Sequence, residues 1–323
     1  MQGSRSFAKV DVNFPVFLAP MVGLSHSGLR TMVRRYVPRA AKTLWPTEML
    51  SSRRLPREVL GATAETLRFS NEDNLVPQIL GNEEIPIRDS VRKIFEWGAT
   101  GIDINMGCPV AKALRHNYGV ALMGDSDYAA RVVEYAVKYS SGPVSVKLRA
   151  GKQGDLEYLE KFVGGLVNAG ADWICLHPRT LEQKRRGSAD WSQIKWLRDR
   201  VTVPIVGNGD IQTADDVLRM REETGCDAVM VGRALTVRPW LMWQVGEKMG
   251  LDAPLGREGE RAPQTPLEEG AEFGRYMLET VQLYQSLWPE EVGLKKFGFL
   301  VRTNHVWLEF GHAFYAKITK AKN

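Results

Sequence analysis

Asn105-Met-Gly-Cys108-Pro places a cysteine between a glycine and a proline, directly after the apolar run Gly101–Asn105. Gly and Pro interrupt regular structure, so this thiol belongs to a tight loop at the end of a strand rather than to a core. Cys175 and Cys226 are the contrast. The first lies inside an apolar run and the second in a Gly-Cys-Asp turn, and both read as packing residues. A thiol at a strand end can attack as a nucleophile or donate a proton as a general acid. An ordinary thiol, with a pKa of about 8.5, is mostly protonated at neutral pH and suits the second role. No Ser-His-Asp order or nucleophile elbow accompanies it, which argues against hydrolysis by that route.

Further along the chain, Lys147 and Arg149 share one face of the run Pro143–Leu148 and its exit. A lysine there either snorkels to a carboxylate or holds an anionic cofactor or substrate. His177 ends the run Asp172–His177 and is followed by Pro178-Arg179-Thr180. No second histidine or paired carboxylate stands at ligand spacing, so a metal site is not expected. Asn208-Gly209-Asp210 and Gly232-Arg233 close the last two apolar runs. Each puts a glycine where backbone N–H groups can approach an anion, and Arg233 adds a cation, which makes the pair a phosphate-site candidate. Met21, Glu48 and Gln78 complete the polar or sulfur-bearing residues at or near strand ends.

These residues need a scaffold that brings strand ends together. Eight β-rich runs recur: Val16–Pro20, Thr43–Glu48, Val76–Leu80, Gly101–Asn105, Pro143–Leu148, Asp172–His177, Val203–Asn208 and Asp227–Gly232. Their starts lie 24 to 42 residues apart, the length of a βα unit. Most are continuously apolar, as strands covered on both faces should be. Between them, Asp125-Ser126 precedes the helical pattern Ala129–Tyr139, and Thr213 with Asp216 forms a capping-box signature before Val217–Glu223. The pattern predicts an α/β fold, a (β/α)8 barrel, whose active site lies at the C-terminal strand ends. A doubly wound sheet would want a GxGxxG turn after its first strand, and LAPMVG does not supply one.

Composition sets the limits around this reading. The chain has 323 residues, 44% of them hydrophobic and 25% charged, enough to bury a large core. No apolar run approaches the roughly 18 residues that span a bilayer, and the first residues show no secretory pattern. Three widely spaced cysteines do not form a disulfide framework, and the expected location is the cytoplasm. A net charge of +5 permits a polyanionic partner without requiring one.

The organisation expected is a barrel over residues 1–248, a Gly- and Pro-rich linker over 249–266 and a small helical domain over 267–323. That last segment is polarised: residues 292–323 carry six Lys or Arg and one Glu. Lys295, Lys296, Arg302, Lys317, Lys320 and Lys322 alternate with Phe297, Phe299, Trp307, Phe310, Phe314 and Tyr315. The combination suits phosphate contact and base stacking, or an amphipathic helix whose aromatics are core. Lys184-Arg185-Arg186, after the sixth run, adds charge near the strand ends.

The motifs LAPMVG, Thr47-Glu-Met49, PQILG, DINMGCP with Lys112 and Gly119-Val-Ala-Leu, VKLR, HPRT, GNGDI and VGRA resemble, in order and spacing, those of the tRNA-dihydrouridine synthases. The resemblance runs from about residue 16 to 240, and Arg302-Thr-Asn-His305-Val-Trp307 looks like that family's helical RNA-binding segment. It implies an FMN-dependent oxidoreductase that reduces the C5=C6 bond of uridine in tRNA to dihydrouridine, with NADPH as electron source. Cofactor contacts are then expected from Pro20, Met21, Gln78, Lys147, His177, Asn208, Gly209, Asp210, Gly232 and Arg233. Cys108 would be the proton donor, with Lys147 and His177 as the other catalytic residues.

The residue chemistry agrees. Hydride from reduced flavin should add at C6 of the conjugated uracil, and a proton must then reach C5 from Cys108. Lys147 would stabilise negative charge on the flavin. Asn105, Arg149, Arg179, Lys295, Arg302, Lys317 and Lys320 are the expected RNA contacts, and a monomer is expected. Two positions depart from the family pattern: Leu24-Ser25-His26 follows the APM turn in place of Thr-Asp, and Pro178 stands where small residues are common. The competing readings are a flavin barrel acting on a small pyrimidine or enone, the same reaction on ribosomal RNA, and an RNA-binding protein that keeps flavin only for structure.

Overall fold

The structure, a computed structural model, describes residues 5–7, 9–150, 155–184, 186–309 and 311–320. Arg185, Phe310 and Lys322 of the expected RNA-facing set lie outside the described residues, as does the side chain of Lys112. Eight strands alternate with helices. The first half runs β1 (Val16–Leu18), α1 (Ser27–Arg34), β2 (Trp45–Ser51), β3 (Leu75–Leu80), α2 (Glu84–Glu96), β4 (Ile102–Met106), α3 (Ala111–Arg115) and α4 (Ser126–Tyr139). The second runs β5 (Val144–Arg149), α5 (Leu156–Asn168), β6 (Trp173–His177), α6 (Ser192–Arg200), β7 (Ile205–Asn208), α7 (Ala214–Thr224), β8 (Ala228–Val231), α8 (Arg233–Val237) and α9 (Leu241–Lys248). All strand pairs are parallel, in the order β1-β8-β7-β6-β5-β4-β3-β2, so the sheet curls into a barrel with β1 and β2 at its two ends. This is the expected (β/α)8 fold with C-terminal helices added.

The strands are apolar throughout because helices cover their outer face while side chains fill the lumen. Val146, Leu148, Ile174, Leu176, Ile205 and Val229 are all fully buried, each worth about 1.5–3 kcal/mol against exposure. The helices start where the sequence signals them. Asp125 accepts the N–H of Tyr128 at the head of α4, and Thr213 and Asp216 exchange side-chain and backbone bonds at the head of α7. The latter helix ends on Gly225, whose φ of 69° is the left-handed conformation glycine adopts without strain.

Two strand boundaries differ from expectation for reasons of backbone chemistry. β1 stops at Leu18 rather than Pro20, since Pro20 has no N–H to continue a ladder. β2 runs Trp45–Ser51 rather than Thr43–Glu48, with a register shift between Pro46 and Met49. Glu48 is therefore within β2, not after it. Thr43, outside the strand, donates its hydroxyl to the carbonyl of Val16. The backbone N–H groups of Asn13 and Phe14 both reach the carbonyl of Lys42 at 3.1 Å. Among the described residues no backbone ladder joins β1 to β2 directly, and these bonds close the seam.

After α9, residues 249–265 hold no helix, but they are fastened down. Arg257 makes paired 3.0 Å contacts with Glu272 and covers the Trp243 ring at 4.6 Å. Three helices follow: α10 (Pro266–Leu287), α11 (Glu290–Asn304) and α12 (Gly311–Lys320). Helix α10 lies along α1, where Tyr284 and Trp288 meet the His26 ring edge-on at 5.1 and 5.0 Å. Among the described residues no helix is long and apolar enough to cross a membrane.

Candidate active site

Side chains from three strands hold the loop that carries Cys108. Asn105, near the end of β4, accepts the backbone N–H groups of Gly107 at 3.2 Å and Cys108 at 2.9 Å on its side-chain oxygen. Its Nδ2 donates to Gln78 Oε1 on β3 at 2.8 Å. Gln78 Nε2 in turn donates to Asp103 Oδ2 at 2.6 Å, and Ser145 Oγ on β5 donates to Asp103 Oδ1 at 2.6 Å. All four side chains are buried, so the chain of bonds works at low dielectric, where each is strong and each break is costly. Burial raises the Asp103 carboxyl above its ordinary pKa, against the lowering by Ser145, Gln78 and Lys147.

The loop is clamped from two further sides. Val120 N donates to the Cys108 carbonyl at 3.2 Å, and Gly119, at φ 59°, lies so close that a Cβ there would stand 2.6 Å from that oxygen. The Gly119 motif is thus a backbone approach that only glycine permits. Arg149 donates from Nε to the Gly107 carbonyl at 2.9 Å and from Nη1 to the Lys184 carbonyl at 3.1 Å. Cys108 itself is a free, half-buried thiol, while Cys175 and Cys226 are buried. Burial pushes the Cys175 thiol up to about 12, which suits a packing residue.

Register sets the next group. Lys147 of β5 pairs with Cys175 of β6, and Arg149 pairs with His177. Burial first, and then the cations Lys147, Arg149, Arg179 and Arg233, hold the His177 imidazole down to about 2, so it is neutral over the physiological range. Four basic side chains therefore converge on one histidine. Arg179 is buried, donates to Asp210 Oδ1 and to the Gly187 carbonyl, both at 2.6 Å, and lies 3.3 Å from His177 Nε2. Asp210 (φ 58°) takes the Ala189 N–H on its other oxygen at 2.6 Å. Asn208 Nδ2 donates to the Met230 carbonyl at 2.7 Å, bonding β7 to β8.

The same mouth holds Pro20 and Met21, both half-buried, and the Met21 sulfur would lie 3.5 Å from a Cβ placed on Gly232. Arg233, the first residue of α8, stacks over the Trp307 ring at 4.5 Å. Lys147 is half-buried and makes no hydrogen bond or ion pair among the described residues, although its charge lowers the Asp103 pKa. A half-buried cation with that environment fits the charged edge of a flavin, as Arg233 fits a phosphate.

The expected RNA contacts divide into two groups. Asn105, Arg149 and Arg179 stand at the mouth but are bonded within the protein. Lys295, Arg302, Lys317 and Lys320 are exposed on α11 and α12. The tail aromatics are mostly used for packing. Phe297 is buried, Phe299 packs onto Gly23, Phe314 meets Phe273 at 5.5 Å, and Tyr315 stacks on His305 at 4.7 Å. The two departures from the family pattern are structural as well. Ser25 Oγ accepts the Met21 N–H, and His26 caps α1 by accepting the Leu29 N–H.

Three residues take parts in the site that the sequence did not assign to them. Asp103 and Ser145 were visible as polar residues inside apolar strands. Glu48 accepts the Gly23 N–H at 2.5 Å, keeps its second oxygen buried without a partner, and has its pKa raised chiefly by burial.

A model of the family Dihydrouridine synthase (Dus) matches residues 17–279. The chain belongs to the dihydrouridine synthase family. It is thereby an oxidoreductase, and the match extends past the barrel into α10. A probable tRNA-dihydrouridine synthase of Rhodobacter capsulatus is 32% identical over 283 residues, 87% of this chain and 83% of its own. One from Aquifex aeolicus is 36% identical, covering 74% of this chain and 75% of its own. The tRNA-dihydrouridine synthase B of Pseudomonas aeruginosa is 28% identical, with 87% and 80% covered. Among solved structures, histamine dehydrogenase from Rhizobium sp. 4-9 shares the fold at a TM-score of 0.58 and 13% identity, over 76% of this chain and 47% of its own. TcOYE with pHBA does so at 0.51 and 9%, over 79% and 92%.

Proposed function

We propose that this chain reduces the C5=C6 bond of specific uridines in tRNA to 5,6-dihydrouridine, using FMN and NADPH, with Cys108 as proton donor. The observation that carries the reading is the Cys108 loop, held by Asn105, Gly119 and Arg149 at the mouth where Lys147, His177 and Arg233 converge. The names of the relatives support the substrate. FMN, when bound, supplies the hydride that is added to uridine C6, and NADPH renews it.

Each remaining role falls to a residue. Lys147 offers positive charge to the cofactor's ring edge, and His177, neutral, offers it a hydrogen bond without adding charge. Arg233 and the turns Asn208–Asp210 and Gly232 take the phosphate. Cys108 delivers its proton to C5, where negative charge collects as the hydride arrives, and is left as a thiolate that solvent reprotonates. Asn105, whose side-chain oxygen holds the Cys108 loop, acts by orienting the thiol. A uridine in folded RNA is stacked and must be turned out to reach a barrel mouth. The exposed cations of α11 and α12 give the RNA backbone a surface to rest on, which a small pyrimidine or enone would not need.

Purified protein incubated with FMN, NADPH and unmodified tRNA transcripts, followed by digestion and mass spectrometry, should yield uridine heavier by two hydrogens. A protein that holds FMN and oxidises NADPH yet leaves every uridine unreduced overturns the proposal.

A further inference from the structure

The short helix that begins with Arg233 is fastened by the C-terminal helices rather than by the barrel alone. Thr236, one turn on, is fully buried. Its carbonyl accepts from Tyr276 Oη of α10 at 3.0 Å and from Asn304 Nδ2 of α11. Its hydroxyl lies 2.7 Å from Asn304 Oδ1 and 2.8 Å from the Arg233 carbonyl. Asn304 and Tyr276 are themselves fully buried. Arg238, which ends α8, reaches Glu269 of α10 at 3.6 Å. Just after α11, Trp307 puts its ring against the Arg233 guanidinium at 4.5 Å.

We infer that Trp307 is a positioning residue for cofactor binding: its ring fixes Arg233 in the pose that meets the flavin phosphate, so that the C-terminal helices complete the cofactor site. The inference rests on the proposed FMN site. Its physical content is preorganisation. An arginine side chain left to itself samples many rotamers and loses that freedom on binding an anion. A guanidinium held over an indole has already given up part of it, and a cation–π contact engages the face of the guanidinium rather than its N–H groups. The bonds to Thr236 keep backbone and ring in register, since the same Asn304 that grips Thr236 stands three residues before Trp307.

Phosphate specificity provides the test. Apoprotein is titrated with FMN and with riboflavin, which lacks the phosphate, following quenching of flavin fluorescence. Trp307→Ala should weaken FMN by roughly 3- to 30-fold, the range of a cation–π contact, and leave riboflavin unchanged. Trp307→Phe, which keeps a ring, should recover part of the loss and guards against a variant that simply misfolds. Arg233→Ala should also weaken FMN alone, and adding Trp307→Ala to it should cost nothing more.

Equal weakening of both flavins by Trp307→Ala, or no effect on either while Arg233→Ala still weakens FMN, overturns the inference and leaves the phosphate site standing. No effect of Arg233→Ala on FMN removes the phosphate site itself, and the inference with it.

Discussion

The side-chain oxygen of Asn105 accepts the backbone N–H of Cys108 at 2.9 Å, and the same carboxamide donates to Gln78 at 2.8 Å. A thiol on a loop is thereby tied to the interior of the barrel, through Gln78, Asp103 and Ser145, on three strands. Removing the thiol and removing its tether should differ in kind. Cys108→Ala should keep flavin and RNA binding and lower single-turnover reduction by roughly 10²–10⁴. Asn105→Ala should lower it less, and adding Cys108→Ala to that variant should bring it to the Cys108→Ala level. Wild-type turnover in Cys108→Ala would exclude the thiol as donor.

Two glycine substitutions separate backbone need from accident. Gly119→Ala forces a Cβ to 2.6 Å from the Cys108 carbonyl at φ 59°, and should cost more than about 1–2 kcal/mol in urea unfolding while slowing reduction. Gly165→Ala, in α5 with nothing within 4 Å of the added carbon, should stabilise by about 0.5–1 kcal/mol and leave the rate alone. Equal effects at both sites would contradict the close approach at Gly119.

The ion pair of Arg30 and Glu72 is fully buried, with bonds of 2.6 and 2.9 Å tying α1 to the approach of β3. Glu72→Ala leaves a guanidinium buried without its counter-charge and should cost about 3–5 kcal/mol in equilibrium denaturation. A loss below about 1 kcal/mol would mean the pair is far more hydrated than the structure has it.

Acid sensitivity should trace in part to His26, which burial, Lys296 and Arg30 together hold well below its ordinary pKa. Below about pH 6.5 the unfolded chain takes up a proton there that the folded chain refuses, so acidification favours unfolding. Above that pH both states are neutral and the difference vanishes. The slope approaches about 1.4 kcal/mol per pH unit for one such group. His26→Asn keeps an acceptor for the Leu29 N–H, and should lose less stability than wild type between pH 7.5 and 5.5. Parallel pH profiles would show that His26 titrates normally in the folded chain.

On α12, Lys317 and Lys320 are exposed and lie in the last turn. Reversing both to Glu should weaken RNA binding and make its dependence on salt concentration shallower, by about one unit of log–log slope for each phosphate that the protein no longer neutralises. Unchanged affinity and slope would place the RNA elsewhere.

Much of this was legible in the sequence. Continuous apolar runs at βα spacing announced the eight strands, and Asp125, Thr213 and Gly225 marked helix ends by their own chemistry. The strand-end residues were legible too, because the barrel fixes where strand ends meet. What was hidden depends on contacts between distant segments. Asn105 reads as a polar residue free to meet a ligand until the strands pair and Gln78 stands beside it. Trp307 reads as a surface for stacked bases until α11 packs and brings it to Arg233. Glu48 reads as a strand end, and the register shift after Pro46 puts it inside the strand against Gly23.

The seam between β1 and β2 has a consequence for failure rather than for catalysis. A sheet with two ends has two rows of unpaired backbone groups, and such rows recruit other chains. Here the rows face each other, held by the Thr43 hydroxyl and the Lys42 carbonyl, so that neither is offered outward. Damage at this seam would therefore declare itself as self-association of a chain whose other strand junctions are intact, well before the barrel melts.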